Sequence, residues 1–567
     1  MNEAKLRENP FFLDDEGIAW VKKTLAGMSR EDKAGHLFCI SPLSLEKELL
    51  REQMALKPCG LMLRPYDDEQ VVEAVNQLNE DTDIPLLLAA DLEKGANGIS
   101  NQGTVMGSPL GIAATDEDDY SAKLGEVCAT EGKALGLNWT FGPIVYINTN
   151  PFNPITNVRT FVSDKDRVKR MGLAYMNAAQ NRGMAASCKH FPGDGIDFRD
   201  QHITATTNSL SVEDWNATFG DVYKACIDEG TMSIMVGHIY QPAWAKKINP
   251  NLKDEDMLPA SMSPELMQGL LRGELNFNGV IVTDATTMAG FMQALPRPKL
   301  IPQVIASGVD IILFSLNFAQ DKKYILEAME NGTLSEERVD EAITRILAMK
   351  AALGLHKGIA KVRIDEAKKV VGNQEHGDWA KEIADKSITL VKEEKGVLPL
   401  TPAKYKRMLF IPLEGKPDMF AHNRIRAGAS AIMGELLEKE GFEVTVLTQE
   451  SETFKYMRIE EYIKEHFDVI VYCANFGTTS NQTVVRIQWP NNNMSWCPNF
   501  YHTVPTVFVS IENPYHLLDA PRVRTYINAY SPTDTTIEAV VEKLVGRSEF
   551  TGVNPVDPFC GLWEAKL

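Results

Sequence analysis

Short apolar runs separated by longer amphipathic stretches recur along the chain as far as residue 355. The runs occupy 60–64, 84–91, 135–141, 185–188, 232–238, 279–284 and 309–314. Each has the length and make-up of a buried strand, and the stretches between them, such as 164–182 and 212–229, are long enough for crossover helices. Repeated strand–helix units predict a parallel sheet. Their number in this length suits a (β/α)8-type barrel better than an open doubly wound sheet. No G-x-G-x-x-G or Walker-type loop follows any of the strands, which weighs against nucleotide binding.

The stretch 333–355 closes this pattern. Thr333 and Glu336 have the spacing of a capping box, Val339, Ile343, Ile346 and Leu347 make one apolar face, and Gly354 fits a C-cap. Periodicity then fades over 356–378, which reads as a linker. From 379 to 567 a second α/β domain is expected, with strands at 387–391, 408–412, 443–447, 468–472 and 506–510 and helices at 430–441 and 536–546. The stretch 475–501, rich in Asn, Thr and Trp, reads as a long loop. The expected organisation is therefore a TIM-like barrel over 1–355, a linker, and an α/β sandwich domain over 379–567.

Composition narrows the function classes. The 567 residues carry a formal net charge of −19 and show no basic stripe, which argues against a nucleic-acid partner. No uninterrupted run of about 18 apolar residues occurs, so no membrane span is expected. The charged start M-N-E-A-K-L-R-E-N-P lacks a secretory pattern, and eight scattered cysteines form no C-x-x-C pair. Together these give an expected cytoplasmic setting with reduced thiols. Oligomeric state is not legible.

The chemistry gathers at strand ends. Residues 187–202, S-C-K-H-F-P-G-D-G-I-D-F-R-D-Q-H, hold two histidines, three aspartates, a lysine and an arginine. Such a composition also describes a solvated surface loop, but here it follows an apolar strand, where barrel enzymes place their reacting groups. Asp91, Lys189, His190, His238 and Asp284 stand at or just past the ends of apparent strands, and Arg159 follows the third. A cup lined by carboxylates and cations suits a polyhydroxylated substrate, whose hydroxyls need both donors and acceptors. Asp284 ends the buried run G-V-I-V-T-D and is a candidate nucleophile toward an anomeric carbon. Asp200 and His202, read as alternating in an extended loop, make a general acid/base pair in which the carboxylate holds the imidazole. His238 serves equally as a substrate contact or a satisfied core histidine. No third ligand at metal spacing accompanies the pair, so neither metal nor organic cofactor is expected. The two glycines of the loop give it the make-up of a lid that closes over bound sugar.

These motifs carry a resemblance. K-H-F-P-G-x-G followed by D-x-H is similar to glycoside hydrolase family 3, in its β-N-acetylglucosaminidase branch. D-L-E-K-G at 91–95, N-W-T-F-G-P at 138–143, N-V-R-T-F at 157–161 and G-V-I-V-T-D at 279–284 extend it, as do E-N-P-Y-H-L-L-D at 512–519 and A-Y-S-P-T at 529–533. The resemblance implies a retaining exo-β-N-acetylhexosaminidase with Asp284 as nucleophile, His202 as acid/base and Asp200 as its partner. It implies Asp91, Arg159, Lys189 and His190 as residues that hold the sugar hydroxyls. Two positions depart from the branch: Asp194 stands where a histidine is usual, and Ile99 lies near the place of a missing arginine. The alternatives are a β-glucosidase or β-xylosidase using a glutamate of the second domain, transfer to phosphate on the same scaffold, and a non-catalytic sugar-binding protein.

Overall fold

The computed structural model describes residues 3–415, 428–477, 480–483 and 486–567. They form two compact units, one of residues 1–104, 121–147 and 164–373, the other of 105–120, 148–163 and 374–567.

The first unit is the barrel. Its parallel strands are β1 (Phe38–Ile40), β2 (Gly60–Met62), β3 (Leu87–Ala90), β4 (Trp139–Thr140), β5 (Ala185–Phe191), β6 (Ser233–Val236), β7 (Val280–Thr283) and β8 (Ile312–Leu313). Each lies beside its neighbours in sequence, and β8 returns to pair with β1. Between β7 and β8 the sheet closes through a bridge of Val282 to Ile311, with the Thr283 N–H donating to the Ile311 carbonyl at 3.0 Å. Six strands fall inside the apolar runs, and β5 starts in one and runs past its end. The eighth, β1, was not anticipated. Its F-C-I follows the helix Arg30–His36 after a single residue, with no glycine or proline to mark the change.

Local chemistry starts the helices. Asp164 accepts the Arg167 N–H at 2.8 Å and opens the crossover helix Lys165–Asn181. The closing helix, Glu336–Ala352, is capped by Ser335, whose hydroxyl accepts the Arg338 N–H at 3.2 Å. The expected Thr333/Glu336 box does not form. With Ser335 at the cap, Glu336 is the first helical residue, and the Thr333 hydroxyl turns back to Asn331. Gly354 follows the helix in the left-handed region, at φ 73°. Within 356–378, read as linker, a helix spans Ile364–Val370, and the helix Gln374–Ser387 begins there.

The second unit is built on β9 (Thr389–Lys392), β10 (Arg407–Glu414), β11 (Glu443–Val446), β12 (Val469–Asn475), β13 (Thr506–Ser510) and β14 (Thr525–Asn528). The order is β9-β14-β13-β12-β10-β11, parallel except for β9 against β14. Met408, Phe410, Val469, Val471, Val507 and Val509 face one apolar layer, and Leu409, Ile411, Ile470, Tyr472 and Phe508 the other. Burial on both faces is why these strands read as continuous apolar runs. At the end of β10, Glu414 accepts the Ser430 N–H and an Asn475 side-chain N–H, each at 2.8 Å. Leu110, Ala114 and Val158 pack with Tyr515, Tyr530 and Val556, so two segments inside the expected 1–355 barrel group with this unit instead. The loop expected over 475–501 holds short 3₁₀ turns at Pro490–Asn492 and Met494–Trp496; 478–479 and 484–485 lie outside the described residues. Among the described residues no helix is long and apolar enough to cross a membrane.

Candidate active site

Strand β5 runs through Phe191, past the expected end at Cys188, so Lys189 and His190 are strand residues. The Lys189 ammonium is buried and sits between two carboxylates, Asp91 at 2.8 Å and Glu93 at 2.7 Å. Two flanking acids offset the cost of burying the lysine charge. Glu93 had no assigned role in the sequence. The signal was its place two residues after Asp91, just past the same strand end.

His190 lies with its Nε2 3.5 Å from an Asp284 carboxylate oxygen. Its Nδ1 is hydrogen-bonded to the Tyr146 hydroxyl, and the two rings are stacked. If Nε2–H faces the carboxylate, Nδ1 accepts from the tyrosine O–H. Nothing local in the sequence marked Tyr146, which reaches His190 from 44 residues away.

Asp284 follows β7, with its backbone N–H donating to Val236 of β6 at 2.8 Å. Its carboxylate accepts the Ala285 N–H at 2.7 Å. Burial pushes this carboxyl up, but the imidazoles of His190, His238 and His202 more than offset that and bring it down to about 2. An ionised carboxylate at the mouth of an apolar strand is the form a nucleophile needs.

Asp200 and His202 are brought together as expected, by a different local structure. Residues 201–203 form a turn, with the Ile203 and Thr204 N–H groups both on the Asp200 carbonyl. Alternation along an extended loop is therefore not the cause. Asp200 is buried, and one of its oxygens takes both the His202 backbone N–H at 2.9 Å and the ring Nδ1–H at 2.7 Å. That leaves Nε2 as the ring nitrogen not bound to Asp200.

The loop read as a lid is stitched down. The Trp215 indole N–H donates to the Pro192 carbonyl at 2.8 Å, Asn208 to Gly193 at 3.1 Å, and the Thr207 N–H to Asp197 at 2.8 Å. At the far end the His202 carbonyl accepts the Ala289 N–H at 3.0 Å, from the loop that follows the nucleophile. Gly193, at φ 112°, serves close packing, since a Cβ there would lie 2.1 Å from the Phe219 ring.

His238 is wholly enclosed, and both ring nitrogens are used by the protein: Nδ1 with Ser261 at 2.9 Å and Nε2 with the Ala285 carbonyl at 3.1 Å. Burial pushes its imidazole down, against the pull of Asp284. It is the satisfied histidine of the two readings, standing behind the nucleophile rather than lining the cup. Arg159 lies in the 3₁₀ turn Asn157–Arg159 of the second unit, not directly after a barrel strand.

Residues 48–349 match the family model described as the glycosyl hydrolase family 3 N terminal domain. A beta-N-acetylglucosaminidase/beta-glucosidase of Cellulomonas fimi is 43% identical over 559 residues, covering 98% of this chain and 99% of that protein. The solved structure of a beta-glucoside phosphorylase, BglX, superposes with a TM-score of 0.92 at 42% identity over 100% of both chains. A family 3 beta-N-acetylglucosaminidase from Paenibacillus sp. str. FPU-7 shares the fold, with a TM-score of 0.77 at 24% identity over 94% of this chain and 100% of that one.

Proposed function

This chain belongs to glycosyl hydrolase family 3, and on that footing we propose that it is a retaining, exo-acting enzyme for terminal β-linked N-acetylglucosamine, with glucose as a second sugar. The observation that carries the reading is the ionised Asp284 beside His190, with the Asp200–His202 pair on the loop stitched to its flank. An Asp284 oxygen bonds to the anomeric carbon as the bond to the leaving oxygen breaks, and His202 Nε2 gives its proton to that oxygen. Asp200 keeps the ring oriented and stabilises the imidazolium. In the second step the neutral imidazole takes a proton from water, whose oxygen displaces the Asp284 carboxylate and frees the sugar. Asp91, Lys189 and His190 supply acceptors and donors for the sugar hydroxyls.

A second reading keeps the first step and changes the acceptor to inorganic phosphate. One physical argument and one observation favour it. After the leaving group departs the acid/base is a neutral imidazole, which repels an incoming anion less than a carboxylate does. The 42% identical structure is that of a phosphorylase. Hydrolysis of aryl β-N-acetylglucosaminide and aryl β-glucoside, with and without phosphate, separates the readings. Sugar 1-phosphate as the main product assigns the second, and free sugar unaffected by phosphate assigns the first.

A further inference from the structure

A second hollow opens at the other end of the barrel. The catalytic candidates of the barrel stand at or past the C-terminal ends of its strands, whereas this hollow is bordered by the segments that lead into β1, β2 and β3. Its volume is about 420 Å³, within the range of small-molecule sites. One side is the helix Asp15–Gly27. That helix buries Gly17, Ile18 and Val21, and lines the hollow with Trp20, Lys23, Thr24 and Gly27, spaced three and four apart on one face. Apolar side chains complete the wall: Met28, Met54 and Leu86 are buried, and Ile84 is half-buried.

Polar groups around this wall hold unspent valence. The Trp20 ring leans on His356, with centres 5.7 Å apart. Among the described residues its indole N–H and the Thr24 hydroxyl have no protein partner, and Lys23 forms no ion pair. Asp32 spends one carboxylate oxygen on the Ser29 N–H at 3.2 Å and the Ser29 hydroxyl at 2.9 Å, which leaves the other as an acceptor. Lys57 and Asp83 meet at 3.5 Å from the loops before β2 and β3, and Asp81 lies 3.3 Å from Arg51.

Charge decides the class of ligand. Among the lining groups three carboxylates, Asp32, Asp81 and Asp83, stand against two ammonium groups, Lys23 and Lys57. The lining His36 imidazole is pushed well down by burial and by the Lys350 amine. No positive excess is left to attract an anion. Donors and acceptors interspersed around an indole suit the hydroxyls of a neutral saccharide. The methionine and leucine wall suits an apolar substituent on it, such as the methyl of an acetamido group.

We propose that this hollow is a second, non-catalytic saccharide site that takes a sugar carrying an N-acetyl group. The ring lies against Trp20, hydroxyls reach Asp32 and Lys23, and the acetamido methyl enters between Met28 and Met54. The inference goes beyond the functional reading and stands whichever residue is the nucleophile.

The test is the methyl NMR spectrum of the full chain labelled at its methionine methyls. It is titrated with methyl α-N-acetylglucosaminide, whose α linkage spares it from a β-specific enzyme. Met28→Leu and Met54→Leu identify the two signals. Both should shift saturably, with half-saturation at about 1 to 10 mM. Methyl α-glucoside, which lacks the acetamido methyl, should bind about fourfold more weakly. Trp20→Ala should weaken binding by about fivefold or more, and Lys23→Ala, on an exposed side chain that folding does not need, by about threefold or more. Signals of Met28 and Met54 that stay in place up to about 50 mM sugar overturn the proposal. Half-saturation unchanged in either variant does the same. Tighter binding of 4-phenylbutyrate than of the sugar makes the hollow a site for apolar anions and also overturns it. None of these readouts requires turnover, so their failure leaves the proposed function standing, and inactivity on aryl glycosides removes that function without touching this site.

Discussion

A single oxygen of Asp200 takes both the backbone N–H and the ring Nδ1–H of His202, at 2.9 and 2.7 Å. The imidazole is fixed in tautomer and in direction by one buried carboxylate. Any general-acid role of His202 therefore depends on Asp200 as well.

Removing the acid should matter most where the leaving group is poor. His202→Ala is expected to slow alkyl and glycosyl substrates by about 10²- to 10⁴-fold, with much smaller losses on nitrophenyl ones. Asp200→Ala should act in the same direction. Azide should restore turnover of activated substrates. Equal losses on both leaving-group classes, with no azide rescue, would assign the acid to another residue.

Asp284 should be the site of covalent labelling by a 2-fluoro glycosyl donor, identified by peptide mass mapping. Its carboxyl is held at about 2 against an ordinary 3.8. A depressed acid adds stability above its unfolded pKa, and that share is lost as pH falls through the folded one. The nucleophile therefore stays ionised where ordinary carboxylates titrate. The inactivation rate with a 2-fluoro glycosyl fluoride, which needs little acid assistance, should be flat across that range. A break near the usual carboxylate pKa would contradict the electrostatic assignment.

Lys350 offers a test far from the chemistry. It is fully buried, donates to His36 Nε2 at 2.8 Å and has Cys39 and Cys59 nearby. Burial lowers its amine from 10.5 to about 7. Between those values the unfolded chain binds a proton that the folded chain does not, so stability rises with pH across the window and levels off below it. Lys350→Met should raise Tm by several degrees at neutral pH and flatten its dependence from about pH 7 to 10. An unchanged slope in the variant would overturn this account.

Two glycines with the same backbone sign should differ in cost. Gly354 has φ 73° and open space around it, whereas Gly193 at φ 112° abuts the Phe219 ring. Gly354→Ala should cost about 1 kcal/mol. Gly193→Ala should cost several times more and reduce activity, because the loop bearing His202 must shift. Differential calorimetry with kcat measurement on both variants checks this.

Where a signal was periodic or sat at a strand end, the sequence carried it. The apolar runs around β2 to β8 were legible, and Asp284, Lys189, His190 and the Asp200–His202 spacing followed from them. Signals that depend on tertiary placement were not. Tyr146 meets His190 across the fold, and His238 differs from a substrate contact only through Ser261 and the Ala285 carbonyl. Segments 105–120 and 148–163 carry no mark of the unit they pack with, since an apolar side chain such as Val158 does not name its partner.

The parallel strands of the second unit reverse their order between β10 and β12, the crevice in which open α/β sheets seat the phosphates of nucleotides. In this chain Glu414 already fills that role. Its carboxylate takes the Ser430 N–H at the start of the helix Ala429–Lys439, and Asn475 closes on it from β12. Among the described residues, a phosphate entering there would meet a like charge and find the Ser430 N–H already taken. Among the described residues, the sheet keeps the outline of a nucleotide fold while a carboxylate of the chain itself sits at the helix start where such folds seat an anion.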